Sequence, residues 1–147
     1  MEKIMIPIDG SEYSDRALEV GKDLAAGYGA QVVLLHVVSI DIPNYVDFTN
    51  AAAVGATLDS VRETAAEQAK VILEKGKEFL GDLCCVATLE TSGGKPADAI
   101  VRTAEAEGVD MIIMGSAGSG SAAKGILMGS VTNRVLHNTK IPVLVVK

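Results

Sequence analysis

The chain has no tryptophan, and its aromatic residues number only three tyrosines and two phenylalanines in 147 positions. That scarcity argues against a large aromatic-lined pocket and against a stacking platform for single-stranded nucleic acid. Net charge is −6, and no stripe of Lys and Arg interleaves with stacking residues, so a nucleic-acid partner is not expected. Its two cysteines, Cys84 and Cys85, are adjacent. Such a pair gives neither a disulfide framework nor a zinc spacing and reads as two small hydrophobes near a strand start. A reducing, cytoplasmic compartment is the expectation. No apolar run approaches the ~20 residues that span a bilayer. Met1-Glu2-Lys3 leads straight into a strand pattern, leaving no room for a signal peptide.

Acid is the most informative scarcity. All 19 carboxylates and nine of the 13 basic side chains lie at or before Asp110. Beyond it come Lys124, Arg134, Lys140 and Lys147 with no acid at all. Within this segment, Gly115 to Ser130 holds five of the 15 glycines and four serines. It begins where the apolar stretch Met111-Ile-Ile-Met114 stops and ends where a short helix can start. Glycine permits close backbone approach to a ligand, and a serine at a helix start leaves backbone N–H groups facing outward. With no carboxylate competing for the same amides, the segment suits an anion, phosphate first. A basic surface loop is the alternative.

Apolar content of 48% with 22% charged residues marks a globular chain, long enough for one domain, residues 1–147. Strand and helix patterns alternate throughout, without a linker or repeat. Lys3 to Asp9 predicts a first strand, and Ser11 or Ser14 a cap for the helix after it. That helix carries Tyr13, Ala17, Val20, Leu24 and Tyr28 at 3–4 spacing, with Gly29 past its end. Gln31 to Val38 is apolar on both faces, the mark of a buried parallel strand. Residues 39–57 are irregular, a lid or a variable insertion.

Ser60-Val-Arg-Glu63 fits a capping box for a helix to Leu80, with Val61, Ala65, Ile72, Gly76 and Phe79 inward. Further strands are predicted at 86–91, 109–116 and 141–147. Helices run from Pro96 to Gly108 and from Ser130 to about Asn138. The alternation predicts an α/β domain, doubly wound, with a five-stranded parallel sheet and helices on both faces. With strand order 3-2-1-4-5, ligand belongs where the order reverses, between the first and fourth strands. Asp9-Gly10-Ser11 and Gly115 onward would meet there.

Common phosphate motifs fit poorly. Gly115 to Gly120 is followed by Ser121 rather than the Lys of a P-loop. Gly118 to Ala123 satisfies G-x-G-x-x-A, but it follows the fourth strand and has no downstream acid for a ribose.

Four stretches of the chain together resemble the universal stress protein family. They are Pro7-Ile-Asp9-Gly-Ser11, Leu34-Leu-His36-Val37, Gly108 to Gly115, and Gly129-Ser130-Val131 with Ile141-Pro-Val-Leu-Val-Val. The likeness covers nearly the whole chain in the same motif order. It implies an adenine nucleotide alpha hydrolase-like fold and an ATP-binding, regulatory stress-response module, usually a homodimer. Residue by residue, it implies that Pro7, Asp9, Val37, Met114 and Gly115 line the adenine and ribose end. Gly118, Gly129, Ser130 and Val131 would hold the phosphates. The family signature is G-x2-G-x9-G-[ST], whereas ten residues separate Gly118 from Gly129 here.

Other readings stay open. Asp9 is either a ligand residue or a helix cap, and Lys124 reaches phosphate or solvent. His36 reads as a satisfied core histidine, His137 suits a helix C-terminus, and Arg134 neutralises phosphate or caps that end. A magnesium or manganese ion on the phosphates would find Asp9, Ser130 or Thr132 nearest. No hydrolytic constellation is evident, so ATP turnover would be slow or need a partner. The apolar strand 141–147 at a sheet edge predicts pairing with a second copy. The functional alternatives to nucleotide regulation are a slow ATPase or switch enzyme and a dimeric interaction module without nucleotide.

Overall fold

The computed structural model describes residues 1–40, 49–92, 95–118 and 128–147. Its strands are β1 (Lys3–Pro7), β2 (Gln31–Ser39), β3 (Cys84–Ser92), β4 (Met111–Gly115) and β5 (Val143–Val146). They form one sheet with every pairing parallel, as the alternation predicted, in the order β3-β2-β1-β4-β5 that the switch-point reading took as its premise. Helices α1 (Glu12–Tyr28) and α2 (Ala51–Leu80) cover one face, and α3 (Pro96–Glu107) and α4 (Ser130–Asn138) the other. A short 3-10 turn, Gly81–Leu83, links α2 to β3.

Both faces of the central strands are dry. Ile4 and Ile6 point into the α1/α2 layer with Val32, Leu34 and Ile113. Met5 points into the α3/α4 layer with Val33, Leu35 and Ile112. Ile4, Met5 and Ile6 are 0% exposed, each contributing about 1.5–3 kcal/mol through burial. This two-sided burial is why these strands read as continuous apolar runs rather than alternating ones.

Helix ends follow the sequence signals in most places. Ser11 caps α1 by accepting from the Ser14 amide. Gly29 and Gly108 close α1 and α3 in the left-handed conformation, at φ 66° and 61°. Pro96 opens α3. Asp98 accepts from Arg134 and Asn138, tying α3 to α4. This bond is where the structure commits Arg134, and His137 sits in the last turn of α4 as the dipole favours.

Three predictions need correction. The second helix starts at Ala51 instead of Ser60, because Asn50 accepts from the Ala53 amide and caps it. Most of the later part of the irregular stretch is therefore helix, while its residues 41–48 lie outside the described residues. The inward face of α1 is Ser14, Ala17, Leu18, Gly21 and Ala25, one step round from the predicted stripe, and Tyr28 is exposed. Small residues win because the helix lies so close to the sheet: a Cβ on Gly21 would fall 2.3 Å from Ile6 Cδ1. In α2 the close approach is at Gly76, where a Cβ would fall 2.8 Å from Leu34 Cδ2, and the helix buries Ala69, Leu73, Gly76 and Leu80 while Phe79 is exposed.

Candidate functional site

β1 and β4 are neighbours in the sheet, while β2 connects from β1 toward one edge and β5 lies beyond β4. Strand order therefore reverses between β1 and β4, and their C-terminal ends leave a cleft that no crossover fills. A crevice of about 790 Å³ opens there, within the ~300–1,000 Å³ of small-molecule sites.

The nine candidate residues all line this crevice, although they come from four separate parts of the chain. Pro7 and Asp9 lie at the end of β1, and Val37 lies near the end of β2. Met114 and Gly115 close β4, with Gly118 just beyond. Gly129, Ser130 and Val131 begin α4. Residues 119–127, which hold Lys124 and the surplus residue of the glycine interval, lie outside the described residues. The two ends of that interval nevertheless converge. The Gly129 amide donates to the Ser116 carbonyl at 2.6 Å, and the Ser116 amide donates to Val146 at 2.7 Å.

The glycines here have distinct physical reasons. A Cβ on Gly118 would sit 2.7 Å from Asp9 Oδ2. The carboxylate thus occupies the space a side chain would need, and glycine lets the backbone of the β4–α4 connection approach it. A Cβ on Gly115 would fall 2.7 Å from Tyr13 Cβ and 2.8 Å from its backbone. Gly115 is therefore required by close packing of β4 on α1, independently of any ligand.

Asp9 also serves its turn, its Oδ1 accepting from the Ser11 amide at 3.0 Å. Asp9 thus braces the β1–α1 turn and lines the crevice. Helix capping itself belongs to Ser11. Gly129, the N-cap of α4, brings no side chain to bond the first-turn amides. Such amides carry the positive end of the helix dipole and suit phosphoryl oxygens. Thr132 Oγ1 donates to the Gly115 carbonyl at 2.9 Å and is buried.

His36 is half-buried and lines the crevice on the α2 side. Its Nδ1 lies 2.7 Å from the Ile8 carbonyl. A carbonyl only accepts, so Nδ1 carries the proton and a neutral ring keeps Nε2 as an acceptor. The histidine is satisfied, as its sequence context suggested, yet it is a wall of the site and not core. Sequence reasoning also missed Ala65, Gln68 and Ile72 of α2 and Pro96 and Ile100 of α3, which flank the crevice. Only the helical period of α2 and α3, in register with the strand ends, could have signalled them. Among the described residues no group of three His, Cys, Asp or Glu side chains forms a metal cluster.

A doubly wound parallel sheet with a glycine-rimmed crevice at its switch point defines a class of open-sheet α/β proteins, in which ligands bind outside the carboxyl ends of the strands. The profile of the universal stress protein family matches residues 1–147, and the chain belongs to that family. It is 34% identical over 146 residues to universal stress protein MJ0531 of Methanocaldococcus jannaschii, covering 99% of this chain and 82% of the relative. Universal stress protein MJ0577 of the same organism is 37% identical over 154 residues, covering 99% and 94%. The solved structure of MJ0577 superposes with a TM-score of 0.80, over 99% of this chain and 95% of that one. A universal stress protein solved in complex with cAMP is 26% identical with a TM-score of 0.66, covering 99% and 97%. Among the described residues no helix is long and apolar enough to cross a membrane.

Proposed function

We propose that this protein binds an adenine nucleotide, ATP before AMP or ADP, and acts as a regulatory stress-response module in the cytoplasm. One observation carries the reading: the end of β1 and both ends of the β4–α4 connection converge on a single crevice. A relative solved with cAMP supports an adenine nucleotide as the ligand class.

Pro7, Val37 and Met114 give apolar walls for the base. Asp9, an acceptor at neutral pH, suits ribose hydroxyls. Gly118, Ser130 and Val131 bring backbone amides to the phosphates, whose charge the start of α4 favours, and Gly129, its own amide bonded to the Ser116 carbonyl, holds the helix start beside them. Gly115 lets β4 close against α1 beside them. The residues fit the group on structural grounds, since the Gly118 backbone approaches Asp9 where any side chain would obstruct it. A magnesium or manganese ion accompanying the triphosphate would find Asp9 and Ser130 at hand, and its chemistry there is charge neutralisation.

β5 is the sheet edge, and its four residues are only half-buried. A second copy pairing along 141–147 about a two-fold axis would cover them. Light scattering would then report twice the chain mass. The nucleotide reading is tested by denaturing the purified protein and separating the released small molecules. Adenine nucleotide in proportion to protein supports it. None released, with no heat on adding ATP and Mg²⁺, leaves the dimeric module without nucleotide. ADP accumulating over hours, and abolished in Asp9→Ala, would instead favour the slow ATPase.

A further inference from the structure

We infer that Thr132 is a positioning residue that aims the first turn of α4 at the ligand's phosphates. The inference rests on the nucleotide reading above.

Two hydrogen bonds join α4 to the end of β4, and they land on consecutive carbonyls. The Gly129 amide donates to Ser116 at 2.6 Å, and the Thr132 hydroxyl donates to Gly115 at 2.9 Å. A hydroxyl has one proton, so this bond fixes its direction. Thr132 is 3% exposed, where water competes poorly for the Gly115 carbonyl. Gly115 itself packs against Tyr13 so closely that a Cβ would fall 2.8 Å from the Tyr13 backbone. A continuous line of contacts therefore runs from α1 through Gly115 to the third residue of α4.

One bond fixes a point about which a helix start can pivot, and two bonds fix its direction. Amide donors serve an anion only when aimed at it, whereas the base and ribose rest on Pro7, Asp9, Val37, Met114 and Gly115, none of them on α4. Loss of the Thr132 hydroxyl should then weaken binding in proportion to phosphate engagement and leave the nucleoside unaffected. No sequence motif marked this role, since Thr132 entered only as a possible metal neighbour.

The test titrates ATP and adenosine separately into wild type, Thr132→Val and Thr132→Ser. Valine keeps the shape and removes the donor. ATP affinity should fall about tenfold in Thr132→Val, with adenosine affinity unchanged and Thr132→Ser close to wild type. A general loosening of the fold would weaken both ligands together, and that result overturns the inference. So does an unchanged ATP affinity. Should Thr132→Val not fold, the wild-type amide resonances of Ser130, Val131 and Thr132 decide. They must move with ATP and stay with adenosine, and movement with both or neither counts against the role. Wild type that binds neither ligand fails the nucleotide reading itself, an outcome distinct from binding both without discrimination.

Discussion

Glycine at single positions shows most sharply how packing, rather than propensity, shapes this chain. Gly27 and Gly21 both sit inside α1, where glycine is destabilising by ~0.5–1 kcal/mol relative to alanine. A Cβ at Gly27 meets nothing within 4 Å, so Gly27→Ala should stabilise by about 0.5–1 kcal/mol. A Cβ at Gly21 meets Ile6 Cδ1 at 2.3 Å, so Gly21→Ala should destabilise by about 1–3 kcal/mol instead. Urea unfolding of the two variants beside wild type checks the opposite signs. The same contrast explains what was legible at residue scale. Gly29 and Gly108 announced themselves by following helical periods. Gly115, Gly118 and Gly129 were legible as a cluster, but the partners that demand glycine at two of them, Tyr13 and Asp9, lie about a hundred residues away. Local sequence cannot show such contacts.

Among the elements, α2 departs furthest from expectation. The Ser60-Val-Arg-Glu63 box is a sound local signal, yet helix continues through it because Asn50 offers an earlier cap. Once a helix is nucleated, propagation costs little, and between Ala51 and Ser60 there is no proline and only Gly55 as a weak point, which the helix tolerates. Asn50→Ala should fray residues 51–57, and Ser60→Ala should not. Faster amide exchange confined to those residues in Asn50→Ala alone is the expected record. Equal behaviour of the two variants would show that neither residue caps the helix. Strands, by contrast, were legible because two-sided burial writes itself as unbroken apolar runs, as in Val32 to Leu35. The helix stripes were misplaced by one position, since small residues at the closest approaches, Gly21 and Gly76, set which leucines turn inward. A hydrophobic period built on Tyr13, Val20 and Leu24 points instead to the flank, where those side chains are half-buried.

Across the whole molecule, two carboxylates join distant segments and make stability depend on pH. Asp110 accepts from the Glu2 and Lys3 amides, and these bonds hold its pKa below the ordinary aspartate value. Glu90 of β3 accepts from Thr103 and from Arg102 on α3, which lowers its pKa likewise. Groups whose folded pKa is depressed stabilise the fold above their unfolded values, near 4, and lose that contribution as pH falls through the folded values. Urea midpoints should therefore drop below about pH 4, and Asp110→Asn or Glu90→Gln should flatten that acid limb. Curves parallel to wild type would remove these two groups from the account.

The parallel, doubly wound class was legible from alternation, and the meeting of Asp9 with Gly115 and Gly118 followed once the strand order 3-2-1-4-5 was taken as the premise. The flanking helices of the crevice were not, because their contribution depends on how far along each helix the strand ends fall.

The crevice as an adenine-nucleotide site is tested most directly by calorimetric titration of nucleotide-free protein with ATP and Mg²⁺, wild type beside Gly118→Ala. One ATP per chain is predicted for wild type. At least tenfold weaker binding is predicted for the variant, whose new methyl would sit 2.7 Å from the Asp9 carboxylate. No heat from wild type, or equal affinity in both proteins, would contradict the account.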